Sequence, residues 1–194
     1  IKIGINGFGR IGRLILRALL ENYKDQIQVV AINDLGSIEA NAHLVKYDST
    51  HGTLPYDVET SKDGFKILNQ NIKVFAERDP ANLPWGKEGV DVVLECTGLF
   101  LDKISAEKHI KAGAKKVIIS APAKDVDFTI VQGVNSKDLK KEHNVISNGS
   151  CTTNCLAPVA MVLEKNFGIE YGYMTTIHSY TGDQKLLDTL HKDL

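Results

Sequence analysis

The sequence is poor in several residue types, and each shortage excludes a class of protein. Its 194 residues include three cysteines, two methionines, one tryptophan and five prolines. Three cysteines cannot all pair, so a disulfide-stapled fold is disfavoured and a reducing compartment, the cytoplasm, is expected. The longest apolar run, at 156–163, is far shorter than the roughly 20 residues that a bilayer-spanning helix needs.

Neither sign of charge is in excess. Lys and Arg together number 23 and Asp and Glu 24, giving a formal net charge of -1, which excludes a generic polyanion-binding protein but not a local basic patch. Hydrophobic residues at 43% and charged residues at 24% are globular values and exclude a disordered chain. Arginine is absent after residue 78, because its four occurrences are Arg10, Arg13, Arg17 and Arg78.

Apolar strand patterns and amphipathic helix patterns alternate along the first 148 residues. The first 32 residues predict a strand, a glycine-rich turn, a helix at 10–21 and a second strand at 28–32, which together form a βαβ unit. Further helices are predicted at 38–47 and 105–112, strands at 91–94, 116–119 and 145–146, and small hairpins at 53–76. The alternation predicts an α/β fold, a doubly wound parallel sheet of the Rossmann type over residues 1–148.

A second unit is predicted to begin at residue 149. Its helix should run from Cys151 to about Asn166, with Ser150 as the N-cap, and a strand should follow at 171–180. No strand–helix–strand pattern closes this unit by Leu194. Residues 149–194 are therefore predicted to be the beginning of an α+β catalytic domain.

A glycine-rich turn separates the first strand from the first helix. Gly7, Gly9 and Gly12 fit the pattern G-x-G-x-x-G, whose glycines permit a tight turn, close approach of a pyrophosphate and close helix–strand packing. Asp34, which ends the second strand, would bind the adenosine ribose hydroxyls and repel a 2′-phosphate, so NAD is favoured over NADP. The alternative for the loop is a glycine turn without a ligand. The alternative for Asp34 is to cap the next helix, which would not exclude ribose binding.

The candidate nucleophile is Cys151. It stands at a predicted helix start, where the dipole and the free N–H groups stabilise a thiolate, and His178 is the candidate base. The alternatives are a buried, unreactive Cys151 and a half metal site made with Cys155, although no second pair with metal-ligand spacing follows. Cys155 and Cys96 are predicted to be core residues.

Five motifs occur in an order that is typical of one enzyme family. The most specific is SCTTNCLAP at Ser150–Pro158, and the others lie at 5–13, 76–80, 120–122 and 178–181. Together they resemble the bacterial-type, phosphorylating, NAD-dependent glyceraldehyde-3-phosphate dehydrogenase family. The resemblance covers the whole chain and implies that it is the N-terminal portion of a longer polypeptide.

The resemblance implies a reaction and its participants. The expected reaction is the oxidative phosphorylation of D-glyceraldehyde 3-phosphate to 1,3-bisphosphoglycerate with NAD, a glycolytic step. Cys151 would form a hemithioacetal and then a thioester, with His178 as the base, and inorganic phosphate would release the acyl group. The family also implies a cytoplasmic homotetramer without a nucleic-acid or membrane partner.

The resemblance also assigns roles to individual residues. The cofactor-binding set is Gly7, Gly9, Arg10, Ile11, Gly12, Asp34, Arg78 and Ser120. The substrate- and phosphate-binding set is Ser150, Cys151, Thr152 and Thr181. Arg10 and Ile11 would contact the pyrophosphate through their backbones, while Arg78 would lie near the adenine and Ser120 near the nicotinamide. No metal is implied.

The chain departs from the family pattern in its phosphate-binding and loop residues. No arginine accompanies Cys151 and His178, the helix that completes the cofactor domain is missing, and Thr189-Leu190 matches neither the NAD nor the NADP pattern of the family. The alternatives are an erythrose-4-phosphate dehydrogenase, an isolated nucleotide-binding fragment without turnover, and a regulatory thiol sensor.

Overall fold

The computed structural model of the chain describes residues 1–181, so Thr189 and Leu190 lie outside the described residues. The strands are β1 (Lys2–Asn6), β2 (Gln28–Asn33), β3 (Tyr47–Asp48), β4 (Gly52–Thr53), β5 (Val58–Ser61), β6 (Gly64–Ile67), β7 (Gln70–Phe75), β8 (Val92–Glu95), β9 (Lys116–Ile119), β10 (Phe128–Thr129) and β11 (Val145–Ser147). The α-helices are α1 (Arg10–Asn22), α2 (Ile38–Lys46), α3 (Lys103–Lys111) and α4 (Cys151–Phe167). None of the helices in the described part combines the length and the apolar character that crossing a bilayer requires.

One sheet of nine strands organises residues 1–148 of the described chain. Its order is β10-β11-β9-β8-β1-β2-β7-β6-β5, parallel from β10 to β7 and antiparallel from β7 to β5. The chain builds outward from β1 through β2 to β7, and from β8 through β9 to β11 on the other side. The strand order therefore reverses between β1 and β8, which opens a crevice at the carboxyl ends of these strands. The predicted α/β fold with a Rossmann-type sheet is confirmed.

Both faces of the sheet are covered. Helix α1 buries Gly12, Leu16 and Leu20, four residues apart along one stripe, in a core shared with α2. The other face is covered by α3 and by the loop that carries Trp85, which is fully buried near Ala106. Burial of a single leucine contributes about 1.5–3 kcal/mol, so these contacts hold the helices firmly against the sheet.

The segment after β11 differs from its prediction in two respects. Helix α4 begins at Cys151 as predicted, and the hydroxyl of its N-cap Ser150 accepts from the Thr153 N–H at 2.9 Å. The predicted strand at 171–180 is wrong: the segment has no regular secondary structure, since no neighbouring strand within the described chain pairs with its backbone. The prediction that Cys155 is a core residue is also wrong, because α4 buries none of its residues within the described part.

Asp127, which precedes β10, forms hydrogen bonds with α3 and with the start of β11. Its Oδ1 accepts from Lys103 Nζ of α3 at 2.6 Å. Its Oδ2 accepts from the backbone N–H groups of Asn144 and Val145, at 2.8 and 2.9 Å, where β11 starts. The Lys103 ammonium, and after it the Val145 N–H, lower the pKa of Asp127 to about 2.

We expect Asp127→Ala to lower the free energy of unfolding by about 2 kcal/mol at neutral pH, because hydrogen bonds to charged groups contribute about that much. The folded pKa lies below that of an unfolded aspartate, so the advantage of the wild type should be full above a pH of about 4 and vanish as the pH falls towards 2. Urea unfolding of the wild type and of Asp127→Ala between pH 2 and 7 measures this difference in the free energy of unfolding. The exposed Asp138→Ala is the matched control. An advantage that persists undiminished at pH 2 contradicts the assignment.

Candidate active site

Most of the predicted site residues lie shortly after the carboxyl ends of five parallel strands, whereas His178 and Thr181 lie in the irregular segment after α4. The glycine loop follows β1, Asp34 follows β2, Arg78 comes after β7, Ser120 follows β9, and Cys151 comes after β11. The carboxyl ends of parallel strands meet at one edge of a sheet. Residues that are up to 144 positions apart in the sequence (7 to 151) therefore lie along one side of the molecule.

The geometry of the glycine loop fits a bound dinucleotide. Gly7 has a φ of +88°, and a Cβ there would lie 2.8 Å from the backbone nitrogen of Thr97. A Cβ at Gly12 would lie 2.2 Å from the carbonyl oxygen of Gly7, so only glycine lets α1 approach the strand this closely. A Cβ at Gly9 would meet nothing within 4 Å, and no side chain caps the N-terminus of α1. The loop thus leaves an open face and free N–H groups for a pyrophosphate.

Arg10 and Ile11 form the first turn of α1. The Arg10 guanidinium forms an ion pair with Asp48, and the side chain of Ile11 is half exposed. The side chain of Arg10 is therefore engaged away from the loop, and the backbone N–H groups of these residues are the groups available to a phosphate.

Asp34 lies beside the glycine loop in a crevice of about 350 Å³ that Arg78 also lines. One carboxylate oxygen of Asp34 accepts from the Phe8 N–H and the other from the Gly36 N–H, both at 2.9 Å. Ser37, not Asp34, caps α2. The carboxylate supports the loop and keeps acceptor positions for ribose hydroxyls.

Ser120 follows β9, on the other side of the strand-order reversal from Asp34. It is half-buried and its hydroxyl forms a hydrogen bond with the thiol of Cys96. Burial raises the pKa of Cys96 to about 12, so this thiol is a poor nucleophile. Cys96 contacts the core, in agreement with the sequence-based expectation.

The structure brings Cys151 and His178 into contact. The Cys151 Sγ lies 3.1 Å from His178 Nε2, and His178 Nδ1 donates to the carbonyl of Ser179, which orients the ring. The hydrogen bond with His178, followed by that from the Thr152 N–H, lowers the pKa of Cys151. The Ser179 carbonyl, and then the Cys151 sulfur, raise the pKa of His178. The pair therefore favours a thiolate beside an imidazolium.

The three predicted phosphate-binding hydroxyls have different surroundings. Thr152 is half-buried and in contact with the Cys151 sulfur. Ser150 is engaged as the N-cap of α4, and its hydroxyl also lies 2.7 Å from that of Thr153. Thr181 is exposed three residues after His178. Their role in phosphate binding stays a prediction.

Sequence reasoning missed a chain of buried polar side chains beneath the crevice. Asn6, Asn33 and Glu95 end three neighbouring strands and lie opposite one another in the sheet. All three are at least 95% buried, as are His109 and Trp85, which continue the chain. The signal was present in the sequence, because each of three apolar strands ends on a polar residue.

Comparisons with known proteins agree with the motifs. Residues 1–103 match the model of "Glyceraldehyde 3-phosphate dehydrogenase, NAD binding domain", and residues 150–194 match that of the C-terminal domain of the same family. A glyceraldehyde-3-phosphate dehydrogenase of Pseudomonas aeruginosa is 57% identical and one of Streptomyces coelicolor 58% identical, each over all of this chain and 58% of the relative. One of Priestia megaterium is 58% identical over all of this chain and 57% of the relative. The chain thus spans a little over half the length of these relatives.

Proposed function

Since this chain belongs to the glyceraldehyde-3-phosphate dehydrogenase family, an enzyme family whose N-terminal domain binds NAD, we propose that the complete protein is a glycolytic, phosphorylating dehydrogenase. Its substrate is D-glyceraldehyde 3-phosphate and its product 1,3-bisphosphoglycerate. The observation that carries the proposal is the 3.1 Å contact between Cys151 Sγ and His178 Nε2. Cys151 follows a strand of the same sheet whose carboxyl edge holds the crevice.

A group of this chain is assigned to each part of NAD, which would supply the hydride acceptor when bound. The backbone of the glycine loop and the free N–H groups of α1 hold the pyrophosphate. Asp34 accepts from the ribose hydroxyls. Arg78, which lines the crevice, would contact the adenine, and Ser120, which follows β9, would face the nicotinamide.

The pair of Cys151 and His178 supplies the covalent chemistry. The Cys151 thiolate attacks the aldehyde carbon, and the new oxyanion takes a proton from the His178 imidazolium, giving a hemithioacetal. The Cys151 N–H, at the start of α4, would stabilise this oxyanion. His178 then accepts the hydroxyl proton while the carbon loses its hydride, which leaves a thioester on Cys151.

Inorganic phosphate completes the cycle. A phosphate oxygen attacks the thioester carbon, the carbon–sulfur bond breaks, and the Cys151 thiolate is regenerated with release of an acyl phosphate. Ser150, Thr152 and Thr181 contribute hydroxyls for the two phosphate groups. Residues 150–181 contain no arginine, so we expect the permanently charged phosphate partners in the part of the relatives' length that this chain does not span.

Membership of the family supports a proposal for the domain division and the assembly. We assign residues 1–148 to the NAD-binding domain and 149–194 to the catalytic domain, which the two family matches at 1–103 and 150–194 support. The family also supports a cytoplasmic homotetramer with small-molecule substrates and without a nucleic-acid or membrane partner.

Steady-state kinetics of the full-length protein tests the proposal. We expect continued NADH formation, beyond the first turnover, to require the aldehyde, NAD and inorganic phosphate together. We also expect a higher kcat/KM for glyceraldehyde 3-phosphate than for erythrose 4-phosphate. A higher kcat/KM for erythrose 4-phosphate would assign the enzyme to that substrate instead, and turnover without phosphate would contradict an acyl-phosphate product.

A further inference from the structure

Glu95 is a buried carboxylate that four donors surround. Its Oε1 accepts from the Thr97 N–H at 2.7 Å and from the Thr97 hydroxyl. Its Oε2 accepts from Asn6 Nδ2 at 2.5 Å and lies 3.0 Å from His109 Nε2. The side chain is fully buried, and no lysine or arginine of residues 1–181 forms an ion pair with it.

The hydrogen bonds fix the protons of this cluster. The indole N–H of Trp85 donates to His109 Nδ1 at 2.9 Å, and an indole can only donate. The proton of His109 is therefore on Nε2, where it faces Glu95, and the imidazole is neutral. With four groups directed at its two oxygens, Glu95 acts as a hydrogen-bond acceptor on both of them, and no lysine or arginine of residues 1–181 pairs with it.

Glu95 orients the side-chain amide of Asn6, which in turn orients that of Asn33. These two amides connect Glu95 to the Arg78 side of the crevice. Because Asn6 turns its amide nitrogen to Glu95, its oxygen accepts from Asn33 Nδ2 at 2.7 Å. Asn33 in turn donates to the Glu77 carbonyl and accepts from the Glu77 N–H, both at 2.8 Å. Glu77 immediately precedes Arg78, which lines the crevice.

The same carboxylate orients Thr97 on the other side. Thr97 is half-buried, lines the crevice and has both its N–H and its hydroxyl bound to Glu95. Thr97 also lies against Gly7, the first glycine of the loop. One buried side chain thus orients the floor of the crevice at two places, just after β8 and just after β7.

We propose that Glu95 is a positioning residue for NAD, which holds Thr97 directly and the turn before Arg78 through Asn6 and Asn33. This proposal rests on the proposed function, because it takes the crevice to be the NAD site. Glu95 does not line the crevice and acts only through the groups that it orients.

Glu95→Gln separates this role from a general contribution to stability. In either orientation the amide nitrogen of a glutamine faces at least one N–H group that can only donate: the Thr97 N–H on one side, or those of Asn6 and His109 on the other. We expect the Kd of the full-length protein for NAD, measured by calorimetry, to rise at least about tenfold. Trp85→Phe is the matched control: it removes a bond of the same cluster that Glu95 does not make, while the Glu95 carboxylate itself keeps the His109 proton on Nε2, so the Kd should stay within about twofold whatever the loss in thermal stability.

A second pair of variants covers the case in which Glu95→Gln does not fold. Thr97→Ser keeps the hydroxyl that donates to Glu95, whereas Thr97→Val removes it. We expect a Kd close to that of the wild type for the serine variant and a Kd at least about fivefold higher for the valine variant. Histidine ¹⁵N spectra of the wild type should show His109 as the neutral Nε2–H tautomer.

The possible results separate the proposals. An unchanged Kd in Glu95→Gln, equal Kd values for the two Thr97 variants, or a doubly protonated His109 ring would overturn the positioning role. So would a rise in the Kd of Trp85→Phe that matches that of Glu95→Gln. A wild-type protein that fails to bind NAD would overturn the proposed function, and the role of Glu95 with it.

Discussion

Replacing Cys151 by serine should reduce kcat of the full-length enzyme by at least about 10⁴-fold, the scale of loss when a covalent nucleophile is removed. The serine hydroxyl is nearly the same size but is not ionised at neutral pH, and the contact with His178 cannot make it a comparable nucleophile. Cys151 does not line the NAD crevice, so the Kd for NAD should stay within about twofold. Steady-state NADH formation and calorimetry measure the two quantities.

Cys155→Ser is the matched control for this substitution. Cys155 lies four residues further along α4, has an exposed thiol and has no assigned part in the reaction. Its replacement should leave kcat near the wild-type value. Substantial turnover by Cys151→Ser, or an equal loss in Cys155→Ser, would show that Cys151 is not the nucleophile.

Replacing His178 by asparagine should reduce kcat by about 10²- to 10⁴-fold, the usual contribution of a general base. The variant should also raise the pKa of Cys151, because the hydrogen bond with His178 is the largest cause of its lowering. The Thr152 N–H remains as a weaker donor, so the thiol keeps part of its acidity. The rate of alkylation by iodoacetamide against pH measures the change.

The expected direction of that pH profile follows from the thiolate, which is the reactive form. In the wild type the rate should rise at lower pH than for an ordinary thiol, and in His178→Asn the rise should move to higher pH. A Cys155→Ser background isolates the signal of Cys151, since burial already suppresses Cys96. Identical profiles with and without His178 would contradict the ion pair.

The fold was predictable where a local pattern decides the structure. Strand 116–119 was predicted with the bounds of β9, and α4 starts at Cys151 because Ser150 supplies a capping hydroxyl. The pattern G-x-G-x-x-G identified glycines that the structure requires: a Cβ at Gly7 or Gly12 would collide with backbone. Because the strands that precede the other candidate residues are parallel, these residues lie at one edge of the sheet.

Other features depend on contacts that a sequence pattern does not contain. Residues 171–180 have strand-like composition, but strand formation requires a pairing partner, which the described chain does not provide. Cys155 is a small apolar residue, but it is exposed because no element of residues 1–181 covers its side of α4. The 3.1 Å contact between Cys151 and His178 could be hypothesised from residue types, but only the folded chain shows it. The role proposed for Glu95 depends on which of its neighbours donate hydrogen bonds to it, and the sequence alone does not show these contacts.

The central claim is that Cys151 carries the acyl group between oxidation and phosphorolysis. It is tested most directly by mixing the full-length enzyme with glyceraldehyde 3-phosphate and NAD in the absence of phosphate, and analysing the quenched protein by peptide mass spectrometry. We predict about one equivalent of NADH per subunit and an acyl adduct on the peptide that contains Cys151, which disappears when phosphate is added. Continued turnover with an unmodified Cys151, or an adduct on another residue, would contradict the account.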